Sequence, residues 1–149
     1  MKEIKVGDVL KGLHPIKDLI EDGVVEAEKQ VVSVLDVQIE ITHLNLVSLT
    51  DGEFLANHRL TKQNFRHSFD QYKKKVGLLT SDEIMSIRKK RGWSQEQMAK
   101  FLDIGLKDIT RYENGSIQTK AIDNMIRIIA NDKIFYEMAN YLNKLSFAE

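Results

Sequence analysis

Read for the spacing of apolar and polar positions, the chain changes period partway along its length. From Val24 to Leu49 the pattern is that of sheet. Val37-Gln38-Ile39-Glu40-Ile41-Thr42-His43-Leu44 alternates as a strand with one buried and one wet face does, and the mostly β-branched Val31 to Leu35 reads as a neighbouring or continuous strand. Thr50-Asp51-Gly52 supplies a hairpin-type turn, so a small antiparallel sheet of two to four strands is expected. Upstream, Ile4, Val6, Val9, Leu10, Leu13, Ile16, Leu19 and Ile20 mix both spacings, punctuated by Gly7, Gly12 and the single proline, Pro15. A short strand near Lys5, a helical turn or short helix from Pro15 to Ile20 and a turn at Asp22-Gly23 follow from that punctuation.

At Leu60 the period lengthens. Thr61 can cap a helix in which Phe65, Phe69, Tyr72 and Val76 recur as an apolar stripe, expected to be core, with Lys62, Arg66, Lys73 and Lys74 on the opposite face. Gly77 ends it. Thr80 and Glu83 then form a capping box for a helix from Ser81 to Arg91, which turns Ile84 and Ile87 inward and closes at Gly92. A second capping box, Ser94 with Gln97, starts a helix at Gln95 that runs to about Leu102 and places Met98, Phe101 and Leu102 on one face. Asp103-Ile104-Gly105 breaks the pattern. Ile109 and Tyr112 resume it until Asn114-Gly115 stops it, and the small Ala99 lets the two short helices approach. Thr119 caps a further helix to Ala130 that buries Ile122, Met125, Ile126 and Ile129, and Asn131-Asp132 forms a turn. A last helix, Lys133 to about Leu145, repeats Phe135, Met138, Tyr141, Leu142 and Leu145, an apolar face wide enough to cover the helical core or to form a dimer contact.

Two short helices joined by a tight turn are a helix-turn-helix, and the outward face of the second carries Leu106, Lys107, Thr110 and Arg111, the side chains placed to enter a major groove. Charge bears on this locally rather than globally. The formal net charge is zero, which argues against a non-specific polyanion binder, yet Arg88-Lys89-Lys90-Arg91, Lys100, Lys107, Arg111 and Lys120 gather within the helical segment. The run from Arg88 to Arg91 also reads as the cationic end of a helix. With no cysteine, disulfides and thiolate metal sites are excluded. His14, His43, His58 and His67 are scattered, without the spacing that sets two imidazoles on one helix face. No nucleophile elbow, phosphate-cradling glycine loop or isolated carboxylate pair stands out, so neither enzymatic activity, a cofactor nor a metal is expected. The absence of a long apolar run or signal-peptide core predicts a cytoplasmic chain without a membrane partner.

The elements IRKKRGWSQEQ and GLKDITRYENG resemble the Xre/Cro class of helix-turn-helix domains, in the variant found at the C-terminus of MqsA/YgiT-type antitoxins, over about Leu78 to Ala130. The change of period predicts an α+β chain whose N-terminal module at 1–77 is a small antiparallel sheet plus a helix, and the resemblance implies a five-helix lambda-repressor-like DNA-binding domain at 78–149. It implies that Gln95 contacts a phosphate, that Lys107 and Arg111 face base edges, and that Arg88 and Glu113 form an ion pair tying the first helix to the end of the recognition helix. Asn114 joins Gln95 on the phosphates. Asp103 stands where the family usually has a turn glycine, a position Asp tolerates in the left-handed conformation. Asp108 sets a negative charge on the recognition helix, and it must either meet a cytosine amino group or lie off the interface.

Gly77-Leu78-Leu79-Thr80 and Tyr72-Lys73-Lys74-Lys75 resemble the antitoxin junction, but Ser48-Leu49-Thr50-Asp51-Gly52 stands where those proteins carry a zinc-binding CxxCG, so no structural zinc is predicted. The function expected is a dimeric, sequence-specific repressor on a double-stranded operator, in the antitoxin form binding a partner toxin and repressing its own operon. Two alternatives stay open: a stand-alone or prophage-type repressor with a sensing or dimerising N-terminal domain, and a protein-interaction module that sequesters a partner without binding DNA.

Overall fold

The computed structural model describes residues 2–148, with side chains through Leu145. The fold is α+β, an N-terminal four-stranded antiparallel sheet followed by six helices. In chain order these are β1 (Val9–Leu13), β2 (Ile20–Val34), β3 (Val37–Ser48), β4 (Phe54–Leu55), α1 (His58–Val76), α2 (Ser81–Lys90), α3 (Gln95–Leu102), α4 (Leu106–Glu113), α5 (Lys120–Ala130) and α6 (Asp132–Ala148). They form two compact units, Met1–Lys75 and Val76–Glu149. Among the described residues no helix is long and apolar enough to cross a membrane.

In the first unit the strands run in the order β1-β2-β3-β4. The β2–β3 hairpin pairs without a slip from Gly23 opposite Ser48 to Val34 opposite Val37, and its two-residue turn, Leu35-Asp36, takes positive φ at both positions (45° and 65°). At the base the sheet curls shut, because Leu13 and Ala56 exchange both backbone hydrogen bonds at 2.9 Å. Ile4, Val25, Leu46, Leu55 and Leu60 fill that closed end. Constant register sets Val25 and Leu46 on one face and Val34, Ile39 and Ile41 on the other, so the buried face changes halfway along the hairpin.

Several expectations for this region are corrected. Residues around Lys5 form a turn, with the Asp8 amide donating to the Lys5 carbonyl at 3.0 Å, and the first strand starts at Val9. Of the helical turn or short helix expected from Pro15 to Ile20, only the single turn forms, closed by the Asp18 amide donating to the His14 carbonyl at 3.2 Å in the loop between β1 and β2; the Ile16 and Lys17 amides donate to His14 Nδ1, and Ile20 already begins β2. Asp22-Gly23 makes no turn and runs through β2, because Gly23 serves packing: a Cβ there would stand 2.9 Å from Leu46 Cγ and from Leu55 Cδ1.

Helix α1 is capped by Asn57, whose Oδ1 accepts the Leu60 amide at 2.9 Å, rather than by Thr61, whose hydroxyl donates back to the Asn57 carbonyl inside the first turn. Its Phe65–Phe69–Tyr72–Val76 stripe is not a buried seam. Phe65 is 60% and Val76 40% exposed, while Leu60 and Lys73 are the buried residues, Lys73 within 3.9 Å of Asp70. The seam consists of amides instead. Asn64 accepts the Leu44 N–H on Oδ1 at 3.0 Å and donates to the Leu44 carbonyl at 2.8 Å, and Gln63 grips Ile4 in the same two-bonded way. Lys75 donates to the Gln38 carbonyl further along, so α1 lies over the outer edge of β3 and satisfies groups that a neighbouring strand would otherwise take.

The second unit follows the capping signals closely. Thr80 with Glu83 and Ser94 with Gln97 both form complete capping boxes, and Asp103 adopts the left-handed conformation (φ 54°, ψ 46°) at the end of α3. Ile84, Met98, Ala99, Leu102, Ile109, Ile126 and Ile129 make the core. Only Asn131 separates α5 from α6; its Oδ1 caps the last helix, which therefore begins at Asp132 rather than Lys133. Phe135 joins Trp93 and Phe101 in a three-ring cluster with centroids 5.1–5.9 Å apart, so the first turn of α6 covers the core, whereas Tyr136, Tyr141, Leu142 and Leu145 stay exposed.

Candidate nucleic-acid interface

Helix α4 owes its setting to its two ends and its inner side. Gly105 is the N-cap, Asn114 the C-cap, and Ile109, fully buried, roots the helix in the core. Tyr112 half-buries beside it, and burial pushes its phenol up from the ordinary value. The opposite side leaves Leu106, Lys107, Arg111 and Asn114 exposed.

Behind α4 runs a polar brace. Arg88 of α2 reaches Glu113 with Nε to Oε1 at 2.5 Å and Nη2 to Oε2 at 3.0 Å, and its Nη1 donates to the Trp93 carbonyl at 2.8 Å. Gln95 at the start of α3 donates from Nε2 to Glu113 at 2.8 Å and accepts the Thr110 hydroxyl on Oε1 at 3.2 Å. Burial alone would lift the Glu113 carboxyl, but the hydrogen bonds from Arg88 and Gln95 and the Arg88 charge outweigh it and hold the group below its ordinary range. Three helices are thereby tied at one carboxylate, and the orientation of α4 follows.

This geometry divides the six residues assigned to DNA by sequence. Lys107, Arg111, Leu106 and Asn114 stand on one exposed surface. Gln95 and Thr110 are partly buried and bonded to each other in the joint between α3 and α4, which leaves Gln95 one further Nε2–H to offer outward. The basic footprint is smaller than the sequence suggested. Arg88 is committed to Glu113, and Arg91 bonds the Ile129 carbonyl, pairs with Asp132 at 2.8 Å and stacks 4.2 Å over Phe135. Of the cations that gather here in the sequence, Lys89, Lys90, Lys100, Lys107, Arg111 and Lys120 are exposed.

Asp108 takes the third position of α4 and folds back toward its N-terminus, its Oδ2 lying 3.3 Å from where a Cβ on Gly105 would be. A carboxylate is favoured there by the helix dipole, and it also stands 3.9 Å from Arg111. In the free protein Arg111 thus has an acidic neighbour that competes with a phosphate or a base. Asp108→Asn is expected to tighten binding to unrelated duplex DNA by several-fold in an anisotropy titration; selective loss of binding to one operator with a cytosine in contact would instead make Asp108 a base reader.

A second network went unread in the sequence. Asp123, fully buried on α5, accepts the Leu79 amide at 2.8 Å, the Gln118 side-chain amide at 2.9 Å and Arg127 Nε at 2.8 Å. Burial opposes its charge, but Arg127, the Leu79 amide and Gln118 together hold its carboxyl below the ordinary value. It fastens the segment entering α2 to α5. The pairing of Asp123 with Arg127 four residues on is the one sequence signal for it.

In the first unit His14, Glu21 and Asp51 bring their ligand-type atoms within 4.8 Å of one another. The hydrogen bonds oppose a metal reading. His14 Nδ1 accepts two backbone amides, at 3.2 and 3.1 Å, so the ring proton sits on Nε2, which faces Asp51 at 3.1 Å. Coordination through Nε2 would require the imidazolate. Lys17 pairs with Asp51 and holds its carboxyl far below the ordinary range, which makes the cluster a staple between the β1–β2 loop and the β3–β4 turn.

A family model described as helix-turn-helix matches residues 84–131, from Ile84 of α2 to the end of α5. No curated protein and no solved structure matches the chain. With α3 and α4 standing in the arrangement just described, residues 84–131 form a helix-turn-helix similar to those of Xre-type regulators, a likeness that supports a DNA-binding transcription regulator.

Proposed function

We propose that the chain is a sequence-specific repressor in which α4 enters the major groove of an operator. The observation that carries this reading is the exposed set Lys107 and Arg111 on a helix held rigidly by the Arg88–Glu113–Gln95–Thr110 brace. Lys107 and Arg111 read base edges, guanine O6 and N7 being their natural acceptors; Leu106 and the Thr110 methyl face apolar groups in the groove, and Gln95 and Asn114 position the module on phosphates. An eight-residue recognition helix spans only a few base pairs, so two copies on half-sites about 34 Å apart give the affinity that one lacks. The resemblance at Gly77-Leu78-Leu79-Thr80 supports the antitoxin form, in which the N-terminal unit holds a partner toxin and the chain represses its own operon.

A gel-shift titration with the DNA upstream of its own reading frame tests the core of this. Saturable binding that resists a large excess of unrelated duplex is the expected result, and equal affinity for both DNAs overturns it. For the antitoxin form, co-expression with the adjacent reading frame is expected to rescue growth and yield a co-purifying pair; a neighbour harmless by itself removes that part.

A further inference from the structure

Strand β2 has an open edge. Its first half pairs outward with β1, and the Val25 amide and carbonyl extend that pairing to Asp8 and Gly7. Beyond Val25 the outward groups are those of Ala27, Lys29, Val31 and Ser33, since pairing with β3 continues without a slip and outward groups recur at every second residue. Among the described residues no hydrogen bond reaches these amides and carbonyls, and all four residues are exposed, Val31 by 63%. The opposite edge of the same hairpin, on β3, is bonded by β4, by Asn64 at Leu44 and by Lys75 at the Gln38 carbonyl, which leaves a shorter open stretch at Glu40 and Thr42 among the described residues. Gln30-Val31-Val32-Ser33-Val34 carries no charge, proline or glycine, the devices that normally keep an exposed edge from pairing.

We infer that this edge is completed by the same edge of a second copy, running antiparallel with Gln30 on the two-fold axis. The window fixes the register. Four outward residues centred on Gln30 pair fully only when Ala27 meets Ser33 and Lys29 meets Val31 of the second copy, which forms about eight hydrogen bonds. Moving the axis to Lys29 drives the incoming strand into the segment already held by Gly7 and Asp8 and sets Lys29 against Lys29; moving it to Val31 loses a pair. In the centred register Glu28 faces Val32 and Glu26 faces Val34 of the second copy, so no like charges stand directly opposite. The two Gln30 amides, each with donors and an acceptor, face each other at the axis. An isologous contact of this kind closes as a dimer and uses up the β2 edge of both copies. The inference deepens the dimer of the proposed function and rests on that reading only for its purpose, since pairing is measured without DNA.

The lack of cysteine allows a direct test on the full-length chain. At the axis the two residues 30 form a non-hydrogen-bonded pair with Cα atoms about 4.5 Å apart, within disulfide reach, whereas the two residues 28 are about 14 Å apart. Gln30→Cys is expected to cross-link nearly completely on mild oxidation and Glu28→Cys hardly at all. In sedimentation the wild-type chain is expected at twice the 17.2 kDa chain mass, and Val31→Pro, which removes an outward amide and no intrachain bond, at half the wild-type value. Val31→Lys serves as a second edge variant with its backbone donor intact, and circular dichroism checks that both variants fold. A chain monomeric at every concentration overturns the inference. So does equal cross-linking at both positions, a dimer untouched by either Val31 variant, which puts the contact elsewhere such as on α6, or an edge that pairs only with a strand of another protein. Operator binding that survives those results leaves the DNA-binding reading standing, and loss of operator binding with cross-linking intact does the reverse.

Discussion

Lys107→Ala combined with Arg111→Ala is expected to weaken operator binding by about two orders of magnitude or more, each lost bidentate base contact costing about 1–3 kcal/mol. The folded state should barely notice, because both side chains are exposed and the approach Arg111 loses, 3.9 Å to Asp108, is a long surface pair. The salt dependence separates their roles. If they meet bases, the double variant loses discrimination between operator and random DNA; if they meet phosphates, both affinities fall together and the slope of binding against salt is reduced. Unchanged operator affinity in a gel shift, with thermal stability intact, would remove α4 from the interface.

The brace behind α4 gives the second large effect. Glu113→Gln leaves the Arg88 guanidinium buried without its anionic partner, a loss of about 3–5 kcal/mol. In a module this small that lowers Tm by about ten degrees or more. The pH dependence has a defined sign. The folded carboxyls of Glu113 and Asp123 titrate below their ordinary values of 4.5 and 3.8, so the stability they contribute is complete above those values. It is lost as the pH falls through the lower folded ones. Thermal melts of the wild-type chain are expected to decline on acidification below pH 4.5, and Glu113→Gln, starting lower, to decline less steeply. A variant as stable as wild type at neutral pH would show that the pair contributes nothing net.

The helix-turn-helix could be read from sequence because its boundaries are local events. Thr80 with Glu83, Ser94 with Gln97 and the left-handed Asp103 each declare themselves within four residues. Its brace was legible only through family resemblance, since Arg88 and Glu113 lie 25 residues apart. The sheet hid its boundaries for the opposite reason. The hairpin turns at Leu35-Asp36, a pair with no Asn-Gly signature, while Asp22-Gly23 looks like a turn and is a packing site for Leu46 and Leu55. The aromatic period of α1 misled because that helix covers a strand edge with amides, and Gln63 and Asn64 carry no hydrophobic signal. Arg91 misled likewise: a basic side chain beside lysines turned inward to a carbonyl and a ring.

The grip of Gln63 on Ile4 joins residues 59 apart, and Leu13 waits for Ala56. On a ribosome the outer edge of β3 must therefore stay bare until the nineteen residues of α1 follow, whereas the capping boxes that begin α2 and α3 close within four residues. The slow and vulnerable stage of synthesis thus lasts until α1 is complete at Val76, and a pause or a holding chaperone there would protect the nascent sheet most.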